Sequence, residues 1–408
     1  MLAALAAVRV AIALAVLAAE GRKLPLVPAF DWHGFEGDAN GYYSAAREAV
    51  SSAGSPAVAA GVALSLVVGA GVALLLRRRG AAAWLQLLAL LAGIAGAATS
   101  VVAGMAAPGA PVVGWPLVWA IPLAPLRVLG EPSLETAWGT GAVLSLACVA
   151  VATIATGLLG RWASGRDDVA IGAAALFTAW PLLTGPIAGE QAWDNGTWLV
   201  DAGLHLYTEP LSTALVTVAL ALVVRAETGR TGHVGVGALL GFATVVKLTN
   251  GLLAVAILPL VWWRRGLRTA AVTAAGGVLF APVVLAYWDK GYKEIYGGSI
   301  SASDRPWALD YAIDNWRDSL LFTPTMLLVL APLAIAGAAA LRDRWILAML
   351  TSVIAVTALT YTVYYVTALH PRFLFVALPA LFVLEAQGAV ALVEVVRLRA
   401  FPLARRST

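Results

Sequence analysis

The chain has 408 residues, of which 61% are hydrophobic and only 12% charged, with a mean hydropathy of +0.84. Apolar runs of about 15 to 25 residues recur along its whole length, which leaves no room for a soluble domain and implies an all-α, polytopic membrane protein. A net charge of +4 in a soluble chain would point to nucleic acid, but here the basic residues sit in short clusters between apolar runs and report topology, so no nucleic-acid partner is expected.

Residues 1–19 form the first apolar run, interrupted by Arg9. No basic region precedes it, so it reads as a first span rather than a cleaved leader. Arg9 would lie about 12 Å along that helix, a depth that predicts snorkelling or a true start upstream.

The first outer loop, 20–55, holds the densest polar stretch of the chain. Asp31, His33, Glu36, Asp38, Asn40, Tyr42, Tyr43, Arg47 and Glu48 all fall between Phe30 and Val50. Gly34, Gly37 and Gly41 argue against a helix in its first half. From Tyr42 onward, Tyr42, Ala45, Ala46 and Ala49 share one face, which predicts a short amphipathic helix on the membrane surface. Asp38 stands at the mouth of that helix, where the dipole keeps a carboxylate ionised, whether as a cap or as a reacting group.

The remaining spans read as 56–76, 81–103, 138–160, 169–186, 208–225, 233–247, 250–263, 269–287, 319–341, 345–367 and 373–395, making twelve with both termini inside. The outer loops are then 20–55, 104–137, 187–207, 288–318 and 368–372. Within the second of these, prolines and tryptophans between Pro111 and Gly130 predict a segment at the outer interface rather than a span. Charge supports the layout, because 17 of the 23 arginines fall inside, as positive-inside requires. All four lysines and 17 of the 23 acidic residues fall at or near the outside. Cys148 is the only cysteine, so neither a disulfide framework nor a thiolate metal site is expected. The stretches 233–247 and 250–263 are too short to cross about 30 Å of hydrocarbon, and VVKLTNG between them reads as a helix break lining a cavity or buried in protein.

Ionisable residues at the outer ends of spans are the candidates for chemistry. Glu209 enters a span just before Pro210, with His205 and Tyr207 nearby, and suits either a first-turn carboxylate or a substrate contact. Lys247 is a cation at the helix break, a functional candidate unless it snorkels. His370 and Arg372 occupy a short turn preceded by Tyr361, Tyr364 and Tyr365, and a cation there is not explained by topology. Lys290, Lys293 and Arg305 compete with Arg372 for any phosphate. Trp288, Trp307 and Trp316 read as belt residues, with one free to stack on a sugar. His33 has no second histidine at metal spacing and reads as a loop hydrogen-bond partner.

EGDANGYYSAAREAV in the first outer loop, YTEPLSTAL, VVKLTNGLL and LHPRFLFVALPALFVL together resemble the C-type glycosyltransferase superfamily, in particular bacterial members that use polyprenyl-phosphate sugars. The resemblance extends over nearly the whole chain in layout. It implies a multi-pass enzyme of the cell membrane with its site facing outward. The expected reaction moves a sugar, with inversion, from a polyprenyl-phosphate donor to a hydroxyl of a glycolipid, glycan or protein. Asp38 matches the catalytic aspartate of the first loop, with Asp31 and Glu36 as accessory carboxylates. Arg372, Lys247, Lys290, Lys293, Arg305 and His370 would face the donor phosphate, and Tyr42, Tyr43, Glu209, Tyr207 and His205 the substrates. Many relatives carry an acidic residue directly after the aspartate, where this chain has Ala39, which argues against a metal bridge. No cofactor is required, although a divalent cation is compatible. Many relatives also append a soluble outer domain; the basic tail to Thr408 leads us to expect none here. A transporter or flippase of a lipid-linked sugar is the rival reading and would place its key charges near the bilayer midplane. A non-catalytic scaffold would be indifferent to Asp38→Asn.

Overall fold

The computed structural model describes residues 1–19, 38–106, 114–124, 130, 133–188, 208–225, 228–230, 232–288, 307–315, 330–364 and 371–400. Helices occupy the apolar runs: α1 (Leu2–Ala19), α2 (Asp38–Ala53), α3 (Pro56–Arg78), α4 (Ala83–Gly104), α5 (Gly114–Leu123), α6 (Leu134–Ser164), α7 (Asp167–Ala188) and α8 (Glu209–Val224). They continue as α9 (Gly232–Val246), α10 (Asn250–Arg265), α11 (Leu267–Gly277), a 3-10 turn (Val278–Phe280) and α12 (Ala281–Tyr287). Then follow α13 (Asp310–Asp314), α14 (Ala331–Ala340), α15 (Arg344–Thr362), a 3-10 stretch (Pro371–Ala377) and α16 (Leu378–Ala400). Among the described residues no strand forms, and a single antiparallel bridge joins Trp307 to Tyr364.

Six helical stretches are long and apolar enough to cross a membrane: Pro56–Arg78, Ala83–Gly104, Gly139–Ser164, Leu267–Tyr287, Arg344–Thr362 and Arg372–Arg397. A helix stands in each of the twelve expected stretches, with several ends displaced. The helix expected over 345–367 stops at Thr362. Its end is held by Asn315, whose Nδ2 donates to the carbonyls of Thr362 and Tyr364 at 2.8 Å. The last helix begins as a 3-10 stretch, Pro371–Ala377, before becoming α-helical at Leu378.

Helix α8 is apolar all round, and all of its residues except Val218 and Leu222 are buried. A helix without a polar face belongs in the interior, and α8 is surrounded by α6, α9, α16 and the 3-10 stretch 371–377. Close helix packing rests on glycines. A Cβ on Gly237 of α9 would run into the Thr273 carbonyl oxygen of α11, and one on Gly276 into the Val234 carbonyl.

Two expectations about exposure, of the α2 stripe and of Arg9, are overturned. The stripe of Tyr42, Ala45, Ala46 and Ala49 forms on α2 as expected, but it is buried in the main core against α5 and α4 rather than lying on lipid. The periodicity was satisfied by protein, since α5 supplies an apolar partner. Trp115 and Trp119 of α5 are fully buried, with the indole N–H of Trp119 donating to the Ala137 carbonyl. Arg9 does not snorkel. Its side chain is fully buried, and Nε and Nη1 make no hydrogen bond.

Candidate functional site

Three separate elements bring one carboxylate and two cations together. Glu209 opens α8 with Pro210 in its first turn, where the missing proline N–H costs nothing and the carboxylate meets the positive end of the helix dipole. Because α8 is central, Glu209 is only 1% exposed. Lys247 follows the last residue of α9, in the three-residue turn before α10. Its Nζ lies 2.9 Å from Glu209 Oε1. Arg372 comes from the 3-10 stretch, with Nε 3.9 Å from the same oxygen and a side chain 3% exposed. Thr208 Oγ1 donates to the second oxygen, Oε2, at 3.3 Å.

Aromatic rings wall this cluster on one side. Tyr361, at the end of α15, and Phe373 stack with centroids 4.9 Å apart and planes 20° off parallel. Lys247 Nζ lies 4.0 Å from the Phe373 centroid and 5.1 Å from that of Tyr361, and Arg372 Cζ lies 5.3 Å from Phe373. The ammonium thus meets both a carboxylate oxygen and two aromatic rings. Lys247 is the most exposed of the three, at 15%.

The turn that carries Lys247 is held by side chains the sequence does not advertise. Asn250 Nδ2 donates to the Ala243 carbonyl at 2.8 Å and to Ser212 Oγ of α8 at 3.0 Å, adding a second donor to a carbonyl that already accepts from the Lys247 N–H at 2.9 Å. Thr249 Oγ1 and Tyr361 Oη are 2.7 Å apart. Beneath lies a cavity of about 10 Å³, lined by Thr249, Asn250, Thr357, Thr360 and Tyr361 among others, room for one water molecule. An apolar groove of about 480 Å³ runs between α9, α10 and the α11–α12 segment and reaches Thr244 and Gly251 on either side of the turn. The Thr244 and Thr273 hydroxyls in its wall are bonded to the carbonyls of Leu240 and Thr269 on their own helices, so the lining is effectively apolar.

Of the sequence-predicted residues, Glu209, Lys247 and Arg372 converge. Asp38 is the first residue of α2, and its side chain lies outside the described residues. Tyr42 is buried in the core, and Tyr43 packs against Trp119 at 6.2 Å. Helix α5 links this region to the ionic cluster, because Gly114 abuts Val246, the neighbour of Lys247. A Cβ on Gly114 would sit 2.9 Å from both the N and Cα of Val246. Asp31, His33, Glu36, His205, Tyr207, Lys290, Lys293, Arg305, Trp316 and His370 lie outside the described residues. Trp288 is half exposed, and Trp307 packs its ring 5.3 Å from Tyr364. Among the described residues, no three histidine, cysteine or carboxylate side chains gather in a metal-binding group.

Neither the protein-family models nor the curated proteins compared with this chain give a match. The functional reading therefore rests on the residues and their geometry, together with the motif resemblance.

Proposed function

We propose that the chain is a multi-pass membrane enzyme of the C-type glycosyltransferase kind. It transfers a sugar from a polyprenyl-phosphate donor to a hydroxyl of a glycolipid, glycan or protein on the outer face of the cell membrane, crossing the bilayer twelve times. The observation that carries this reading is the convergence of Lys247 and Arg372 on Glu209 beside the Tyr361–Phe373 stack. Two cations suit an anionic headgroup on a long hydrocarbon, and the apolar groove between α9 and α10–α12, which reaches Thr244 and Gly251 on either side of the Lys247 turn, suits the isoprenoid chain.

In this scheme the Asp38 carboxylate takes the proton of the acceptor hydroxyl. The acceptor oxygen bonds to the anomeric carbon, the bond from that carbon to the phosphate oxygen breaks, and polyprenyl phosphate leaves with one more negative charge. Single displacement inverts the anomeric centre. Lys247 and Arg372 stabilise the charge that develops on the leaving phosphate. The scheme needs no divalent ion, and an essential, tightly bound one would overturn that part.

The test is transfer of radiolabel from a panel of polyprenyl-phosphate sugars in membranes containing wild type or Asp38→Asn. Loss of a general base lowers transfer by about 10²–10⁴-fold; equal transfer by both proteins removes Asp38 from that role. One observation favours the rival, a flippase of a lipid-linked sugar: Arg9 in α1 and Glu385 in α16 are ionisable, fully buried and inside apolar helices. Absence of transfer from every donor, with movement of a labelled lipid-linked sugar across the bilayer, would establish that reading.

A further inference from the structure

We propose that Glu209 is a specificity-determining residue that disfavours the phosphate monoester product relative to the phosphodiester donor, and so promotes product release. The inference rests on the functional reading above and goes beyond it. That reading gives the cations a task but leaves a buried carboxylate unexplained at the point where an anion must bind.

The geometry sets Glu209 Oε1 2.9 Å from Lys247 Nζ, the most exposed of the three charged groups. A phosphate held by Lys247 therefore shares that cation with a carboxylate in surroundings that exclude water, since Glu209 is 1% and Arg372 2% exposed. A sugar phosphodiester carries one negative charge. The monoester left after transfer carries about −1.5 to −2 at neutral pH, its second pKa lying near 6. Repulsion from a fixed carboxylate grows in proportion to the ligand's charge, so Glu209 penalises the product more than the donor. This difference holds whatever other groups surround Arg372, because it depends only on the ligand gaining charge beside an unchanged carboxylate. A carboxylate serving only to hold Lys247 in place would weaken or strengthen both ligands alike.

The experiment compares binding of farnesyl phosphate and of its methyl phosphodiester to the purified full-length protein in lipid nanodiscs, with farnesol as the tail-only control. Wild type is expected to discriminate little between monoester and diester, and to gain little monoester affinity as pH rises from about 5 to 8 through the second phosphate ionisation, because the Glu209 charge offsets part of the attraction of the two cations. Glu209→Gln, which keeps the shape and a hydrogen-bonding oxygen, should tighten the monoester about tenfold more than the diester and steepen the gain in monoester affinity with pH. If Glu209→Gln does not fold, Glu209→Asp draws the carboxylate back from Lys247 and should shift the monoester-to-diester ratio in the same direction by a smaller factor. An unchanged ratio, or weakening of both ligands in parallel, overturns the proposal while leaving the phosphate site intact. Wild type binding farnesol as well as either phosphate removes the phosphate site itself, and the proposal falls with it.

Discussion

Two carboxylate–cation clusters stand at opposite ends of the helical stretch 371–400. Arg372 at its start faces Glu209 and Lys247, whereas Glu394, roughly 33 Å further along at 1.5 Å per residue, pairs with Arg166, which also binds Asp168. The residue types match but the surroundings do not. Side chains in the second cluster are 37 to 51% exposed, against 1 to 15% in the first. The exposed network joins the α6–α7 turn to the end of α16 and adds little, because water and salt screen it. The buried cluster gives up the hydration of three ionic groups, a cost that packed apolar residues of the same size would avoid. An ionic cluster kept at such a cost in an apolar chain is a functional candidate by default, which supports the proposal that places the donor phosphate at Lys247.

The sharpest way to break the comparison is to remove one cation from each cluster. Lys247→Met is expected to lower sugar transfer by about 10²–10³-fold, as loss of one charge-stabilising donor does, while Arg166→Met leaves transfer unchanged in the same radiolabel assay. Equal losses would dissolve the distinction. Next in size is Gly114→Val, which drives α5 off Val246 and tilts the Lys247 turn. A displacement of about 1 Å costs up to about 10² in rate, so transfer should fall by about 10- to 100-fold, alongside the loss of about 1–3 kcal/mol of stability that overpacking brings. Tyr361→Phe removes the hydroxyl bonded to Thr249 but keeps the ring against Lys247. Loss of one hydrogen bond worth about 1 kcal/mol predicts a two- to tenfold fall in transfer, whereas Tyr361→Ala, which also removes the ring, should cost more.

The smallest effect belongs to the exposed network. The hydrogen bond from Arg166 holds the Asp168 carboxyl below its ordinary range, and the Arg166 guanidinium is raised by hydrogen bonds to Asp168 and then Glu394. A carboxyl that is more acidic folded than unfolded stabilises the fold fully above about pH 4, its unfolded value. It loses that contribution as pH falls through the lower, folded value. Asp168→Asn should therefore destabilise the protein slightly at pH 7, and the difference in melting temperature from wild type should shrink below pH 4 and in molar salt.

Much of this layout was legible in the chain, for a physical reason. Glu209, Lys247 and Arg372 are conspicuous because ionisable groups are rare in apolar helices, and assigning alternate ends to the spans already put all three on one side. The Lys247 break was readable from two helices too short to cross alone. What escaped were the partners that fix the break. Asn250 meets Ser212 across 38 residues and Thr249 meets Tyr361 across 112, and small polar residues in apolar helices mostly bond their own backbone, as Thr153 and Thr156 do. The covering of α2 was hidden for a different reason. Periodicity identifies an apolar face, but lipid and protein satisfy it equally. Apolar residues beyond Thr362 prolonged the expected helix, since hydropathy does not register Asn315 capturing the carbonyls there.

The turn 247–249 has a consequence for how the chain tolerates insertions and deletions. Each α-helical residue advances about 100° around the axis, and α10 is keyed to its surroundings on two sides, through Asn250 to Ser212 and through Trp345, whose indole reaches the Leu260 carbonyl. One residue added between Val246 and Asn250 would either rotate α10 out of both keys or loop out where Thr249 now meets Tyr361. The separation of Lys247 from Asn250 is therefore a fixed gauge. Homologous chains that share this architecture should vary in residue type along α10 well before they vary in the length of that turn.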